Sequence, residues 1–269
     1  MTTPTAKLAG LALIAALCAG FTLGMTAPAW AGVDEGVAAL KRGDYATALR
    51  ELRPLAEQGN AKAQYSLGLM YFASTGVSQD DAEAVKWYRK AAAQGYAEAQ
   101  YSLGFMYING QGVAKDFAEA VKWYRKAAEQ GNAGAQHSLG KIHRNVQQYA
   151  KAVGWYRKAA EQGNAGAQYS LGKMYSLGEG IPQHYAEAVK WYRKAADHGN
   201  AKAQHSLGYM YSKGQGVAQD YVQAHMWSNL AAAQGNKDAT MNRDTFARRM
   251  TPAQISEAQK LAREWKPKK

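Results

Sequence analysis

The side chains that could do chemistry are easy to find in this sequence and do not assemble into a catalyst. The six histidines, His137, His143, His184, His198, His205 and His225, include no pair at the i, i+4 spacing that places two metal ligands on one helical face. They read as packing or surface residues rather than ligands. Serines recur at matching positions, Ser66, Ser102, Ser138, Ser170 and Ser206, but no base accompanies them at a fixed spacing, as an activated nucleophile requires. These serines read as small residues at a helix contact. Gly110-Gln111-Gly112 has the look of a phosphate cradle, yet no lysine-serine pair follows it, and a turn between helices is the better reading. The expected catalytic set is therefore empty, with no metal and no cofactor.

A second chemical feature is basic. The chain has 33 Lys plus Arg against 21 Asp plus Glu, a net charge of +12. Nucleic acid, an anionic membrane surface, an acidic partner or plain solubility could each account for such a balance. Much of the charge sits in a recurring Trp-Tyr-Arg-Lys block. On a helical wheel Lys122, Arg125, Lys126 and Glu129 fall opposite an apolar stripe with Trp123 at its border, so the block reads as a solvated outer face. A weak, salt-sensitive attraction to anionic surfaces would follow from the same charges.

The N-terminus places these features in a compartment. Lys7, an apolar run from Leu8 to about Met25, and Ala29-Trp30-Ala31 have the order of a secretory signal, with cleavage expected between Ala31 and Gly32. Residues 1–31 would be removed and the protein would be periplasmic or secreted, which makes nucleic acid the least fitting partner. Cys18, the single cysteine, would leave with the signal, so stability must come from packing rather than disulfides.

The elements that position everything else are repeats. Units begin at Ala61, Ala97, Ala133, Ala165 and Ala201 and run for 36, 36, 32, 36 and 36 residues. A period in this range means a solenoid. With each opening Ala as place 1, places 3, 7, 10 and 11 are apolar, as in Ala99, Leu103, Met106 and Tyr107. Places 21, 24, 25, 28, 31 and 32, as in Phe117, Ala120, Val121, Tyr124, Ala127 and Ala128, repeat that helical spacing, which predicts two amphipathic helices per repeat. Gly-x-Gly loops join them. Asp80, Asp116 and Asp220 stand where the second helix needs a cap, with His184 a weaker substitute. The Gly-Asn pairs that end the units supply the helix stop. Gly68, Gly104, Gly140, Gly172 and Gly208 lie inside the first helix, where each costs ~1 kcal/mol relative to Ala. That recurring cost implies close approach of a large side chain, the Trp or Tyr of the closing block.

Alanine at places 1 and 3, Leu-Gly at 7 and 8, Tyr at 11, Gly-x-Gly-Val, Asp, Trp-Tyr, Ala-Ala and Gln-Gly together resemble the Sel1-like repeat, a relative of tetratricopeptide repeats. The resemblance covers residues 61–236, as 61–96, 97–132, 133–164, 165–200 and 201–236. It implies an all-α, right-handed superhelical α-solenoid of antiparallel helix pairs acting as a scaffold or adaptor for other proteins. Residues 32–60 read as an N-terminal helical cap. Residues 237–269 read as a C-terminal capping helix, starting at Met250-Thr251-Pro252, with a basic tail. Some family members carry a cysteine pair in each repeat and are linked to β-lactam binding or hydrolysis. This chain lacks those cysteines, a departure that counts against carrying over the enzymatic role; an envelope hydrolase or cell-wall ligand binder, and a basic membrane-surface binder, are the alternatives to the scaffold.

In related solenoids the first helix turns places 2, 5, 9 and 12 toward a concave groove. Place 5 reads Tyr65, Tyr101, His137, Tyr169 and His205; place 9 reads Leu69, Phe105, Lys141, Lys173 and Tyr209; place 12 reads Phe72, Ile108, Arg144, Ser176 and Ser212. Apolar side chains gather in the first two repeats and cations in the middle. That suits a protein or peptide partner carrying acidic residues. The alternative is drift at exposed positions without a ligand. The third repeat has lost four residues and its glycine loop between His143 and Tyr149. This reads either as a tolerated deletion or as a local change of pitch beside Lys141.

Overall fold

A computed structural model describes residues 29–268. The expected signal segment lies outside the described residues up to position 28, and the expected junction at Ala31 and Gly32 falls in the first turn of the first helix. Among the described residues there are 14 helices and no strand. None of these helices is long and apolar enough to cross a membrane.

The chain forms two compact units that divide at Asp80 and Asp81. The first holds α1 (Ala29–Arg42), α2 (Tyr45–Glu57) and α3 (Ala61–Ala73). Here α2 packs on both neighbours, burying Val33, Ala39, Ala48, Leu52, Ala56, Ala63, Leu67 and Met70. Residues 32–60, whose first half shows little of the repeat pattern, still form a helix pair. Asp44 caps α2 by accepting from the Thr47 N–H, and Lys62 Nζ meets Asp34 Oδ1 at 2.7 Å.

The second unit holds α4 (Asp81–Ala93), α5 (Ala97–Asn109), α6 (Phe117–Glu129), α7 (Ala133–Asn145), α8 (Tyr149–Glu161), α9 (Ala165–Leu177), α10 (Tyr185–Asp197), α11 (Ala201–Lys213), α12 (Tyr221–Ala233), α13 (Lys237–Ala247) and α14 (Pro252–Glu264). Each helix from α4 to α12 packs on the next in sequence, and α14 returns onto α12. That is an all-α solenoid of helix pairs. Places 3 and 7 are buried in every repeat, as at Ala99, Leu103, Ala135, Leu139, Ala167 and Leu171.

Two features lock each pair. The first is the helical glycine. A Cβ on Gly140 would lie 2.5 Å from the ring of Tyr156, and on Gly172 2.8 Å from the ring of Tyr192. It is therefore the Tyr of the Trp-Tyr pair, from the same repeat, that fills the notch. In the last repeat Ser228 stands opposite Gly208 instead.

The second is a buried glutamine at place 4, which the apolar pattern does not announce. Gln100, Gln136, Gln168 and Gln204 each donate through Nε2 to the carbonyl of Ala92, Ala128, Ala160 and Ala196 of the preceding helix. Their Oε1 atoms accept from Gln130, Gln162 and Gln234 in the second, third and fifth repeats. In the fourth repeat His198 takes the place of that donor, and Gln168 Oε1 is buried without a partner.

The junctions divide their work differently from the sequence expectation. Glycine at the end of each repeat does take positive φ, 93° at Gly131 and 88° at Gly163. The following Asn, however, caps the next helix rather than ending the last one: Asn132, Asn164 and Asn200 accept from the N–H of Ala135, Ala167 and Ala203. Tyr96 holds this position before α5 and makes no side-chain cap. His184 caps α10 through Nδ1 at 3.2 Å, against 3.0 Å for Asp116 and Asp220.

Past the repeats the chain forms two helices where one was expected. The extra one, α13, carries only two buried residues, Ala239 and Phe246, too few to mark an apolar stripe in the sequence. Thr251 and Gln254 close a capping box at the start of α14. This helix buries Ala258 and Ala262 and sets Trp265 edge-on to Trp227, with ring centroids 6.3 Å apart.

Candidate protein-binding groove

The first helices α5, α7, α9 and α11 turn the face opposite their buried stripe toward a row of three concavities. The first, about 440 Å³, lies between the second and third repeats and is lined by Tyr101, Phe105, Ile108, Phe117, Tyr124, His137, Ser138, Lys141, Ile142 and Val146 among others. The second, about 480 Å³, lies between the third and fourth and is lined by His137, Lys141, Arg144, Tyr156, Tyr169, Ser170, Lys173 and Lys202 among others. The third, about 400 Å³, includes Tyr185, Tyr192, His205, Ser206, Tyr209 and Gln215. Tyr101, Phe105, Ile108, His137, Lys141, Tyr169, Lys173, His205 and Tyr209 are thus brought onto one series of hollows. Tyr65, Leu69 and Phe72 lie on α3 of the other compact unit, each half-buried.

The place-6 serines line these hollows beside buried tyrosines. Ser138, Ser170 and Ser206 share them with Tyr124, Tyr156 and Tyr192 of the preceding repeat; Ser170 Oγ donates to the Gly166 carbonyl, and the Tyr192 hydroxyl lies 3.1 Å from Ser176 Oγ of its own repeat. Burial raises all three phenols, that of Tyr192 to about 12. His137 Nε2 lies 3.3 Å from Ser170 Oγ. Burial, with Lys141 beside it, lowers the His137 imidazole to about 4, so this ring is neutral at physiological pH.

Cations dominate the second hollow. Lys141 and Lys202 are exposed and Lys173 is half-buried, and none of the three has an ion-pair partner among the described residues. Arg144, expected to project as a free cation, is instead committed. Its Nε and Nη2 donate to both Glu179 oxygens at 2.8 and 3.1 Å, which ties the third repeat to the loop of the fourth.

Phe117 overturns one expectation. The periodicity puts it on the packing stripe of α6, yet it is 54% exposed, as is Val146 at 55%. Both line the first hollow, and neither is marked by the variation among first-helix positions.

On the opposite surface the basic block is solvated, as expected, and it also makes contacts. Lys90, Lys126, Lys158 and Lys194 lie 3.9–4.9 Å from the ring centroids of Trp87, Trp123, Trp155 and Trp191. Arg89, Arg157 and Arg193 donate to the hydroxyls of Tyr107, Tyr175 and Tyr211 in the next repeat. The corresponding partner of Arg125 would be His143, which pairs with Gln148 instead.

Among the described residues no group of three or more His, Cys, Asp or Glu could hold a metal ion. The Sel1 repeat model matches residues 61–96, 97–132, 134–164, 165–200 and 201–236. The chain belongs to the Sel1 repeat family. A Sel1 repeat protein from Oxalobacter formigenes is 32% identical, with a TM-score of 0.76 over 88% of this chain and 98% of that one. A protective antigen present in uropathogenic Escherichia coli strains, displaying an SLR fold, is 38% identical, with a TM-score of 0.78 over 81% of this chain and 48% of that one. This chain therefore spans about half the length of the antigen. An immunity protein from Pseudomonas aeruginosa, at 24% identity and a TM-score of 0.51 over 77% of this chain and 82% of that one, shares the fold. No curated protein matches the chain. Sel1 repeat proteins are generally protein-interaction scaffolds, and the fold is typically non-catalytic.

Proposed function

We propose that this Sel1 repeat protein is an exported scaffold that holds a partner protein in the first-helix groove of its second compact unit. The observation that carries the reading is the row of hollows on α5, α7, α9 and α11, lined by Phe105 and Ile108 at one end and by Lys141, Lys173 and Lys202 further along. The glutamine bonds and glycine–tyrosine contacts beneath hold these helices in place, so the varying side chains stand on a fixed frame. Such a surface suits an acidic segment of a partner, with lysines supplying attraction and apolar side chains supplying contact area.

Export rests on the signal-like order of residues 1–31. Fractionation and N-terminal sequencing should recover a chain that starts at Gly32 outside the cytoplasm. For the groove, photo-crosslinkers placed at Phe105, Lys173 and Tyr209 should capture the same envelope protein. The double change Phe105→Ala with Lys141→Glu should abolish that capture. Unchanged capture would refute the groove.

A further inference from the structure

The shortened third repeat leaves the start of α6 without the loop that covers its counterparts. In the fourth and fifth repeats the second glycine of the inter-helix loop rests on the start of the preceding repeat's second helix. A Cβ on Gly180 would lie 2.5 Å from the Tyr149 carbonyl carbon, and on Gly216 2.3 Å from that of Tyr185. Gly112 of the second repeat covers Asp81 in the same way, at 2.1 Å from its carbonyl oxygen. Only glycine permits so close an approach. The third repeat has no such loop. Its connection is Val146-Gln147-Gln148, with Gln147 at φ 59°, and the helix start it would have covered is that of Phe117.

The consequence shows in exposure. Tyr149 and Tyr185, under their loops, are half-buried, whereas Phe117 is 54% exposed. In the hollow between the fourth and fifth repeats the loop residue Gln215 forms part of the wall. Between the second and third no loop intervenes, and Phe105, Ile108, Phe117 and Val146 share one hollow. Lys141, His137 and Asn145 line both this hollow and the next, which holds Lys173 and Lys202. No carboxylate lines either one, and Glu179 alongside is neutralised by Arg144.

We infer that the loop deletion creates the specificity site of the groove, a pocket that takes one apolar side chain of a partner segment while Lys141, Lys173 and Lys202 take carboxylates that follow it. The inference rests on the groove reading above and names the chemistry of the occupant. Charge complementarity selects an acidic segment, and the uncovered aromatic and aliphatic walls select a large apolar residue within it.

Fluorescence polarisation with the purified full chain tests this. The probes are short peptides with one leucine or phenylalanine followed by three glutamates, the same peptides with alanine for the apolar residue, and the same with lysines for the glutamates. The apolar-acidic peptides should bind about tenfold tighter than the alanine peptides, the ratio expected for burying one such side chain, and the lysine peptides should not bind. Inserting Gly-Gln-Gly-Val between Val146 and Gln147 should erase the preference for the apolar residue while leaving the dependence on glutamates. Phe117→Ala, at an exposed position that does not endanger folding, should erase it too. Lys141→Glu with Lys173→Glu should abolish binding of every acidic peptide. A preference that survives both the insertion and Phe117→Ala overturns the pocket and leaves the groove standing. Peptide binding untouched by the double lysine change overturns the groove as well. Equal binding of leucine and alanine peptides, or binding of anionic phosphatidylglycerol vesicles with no peptide bound, also overturns the pocket.

Discussion

Where the fourth and fifth repeats meet, Gly216 rests on Tyr185 and Arg193 donates to Tyr211 across the seam. Where the second and third meet, the loop is gone, Phe117 stands exposed, and His143 occupies the position of the tyrosine that Arg125 would reach. Beneath both seams the joint is alike, since Gln136 and Gln204 accept from Gln162 and Gln234 and donate to a carbonyl of the helix before. The array therefore separates two tasks. Buried contacts hold the helix pairs at a common geometry, and peripheral contacts decide how much of each hollow is left open.

If the buried joint is common, breaking it should cost the same anywhere along the array. Gly140→Ala and Gly172→Ala should each destabilise by about 2 kcal/mol, because the clash with Tyr156 or Tyr192 outweighs the ~1 kcal/mol of helix propensity that Ala brings. Thermal melts of the two variants side by side check this. A marked difference would show that the third repeat is packed unlike its neighbours.

The fourth repeat tests the glutamine contact by gain rather than loss. His198→Gln supplies the missing donor to Gln168 Oε1 and should stabilise by about 1 kcal/mol, the net value of one buried hydrogen bond. Denaturant midpoints measure it, and Gln162→His in the third repeat should show the opposite sign.

The outer clasp should report the asymmetry directly. Arg193→Ala is expected to lose about 0.5 kcal/mol, the size of an exposed cation–π contact, while Arg125→Ala should lose nothing. His143→Tyr should make the Arg125 position sensitive.

The comparison extends to pH dependence. His137 stays neutral when folded down to about pH 4, below its ordinary value of 6.5. The unfolded chain therefore binds more protons between those values, and the contribution of His137 to stability, complete above pH 6.5, is lost as pH falls toward 4. His205 and His225 are lowered by burial as well, so the whole protein should melt earlier in acid. His137→Tyr, which installs the residue found at Tyr101 and Tyr169, should reduce that slope without removing it.

Much of this architecture was legible in the sequence because it is periodic. Helical faces, glycine notches and turn glycines recur at fixed places, and each recurrence is a separate demonstration of the same local need. The residues that escaped are those whose surroundings come from another repeat. Phe117 has the spacing of a packed residue, and only the length of the following repeat's loop leaves it bare. Arg144 looks like a free cation until Glu179 reaches it from the next loop. Gln100, Gln136, Gln168 and Gln204 are polar and give no hydrophobic signal, so their burial shows only where the preceding helix offers a carbonyl.

The sequence by itself determined that this chain is a stack of helix pairs, that the pairs meet through glycine, and that the varying residues fall on the first helices. These follow from local steric and hydrophobic rules applied every 32 to 36 residues. Which of those varying residues share a hollow, and that Phe117 stands exposed where the next repeat has lost four residues, was decided only by the tertiary structure, because loop coverage and charge convergence act between repeats and leave no mark within one.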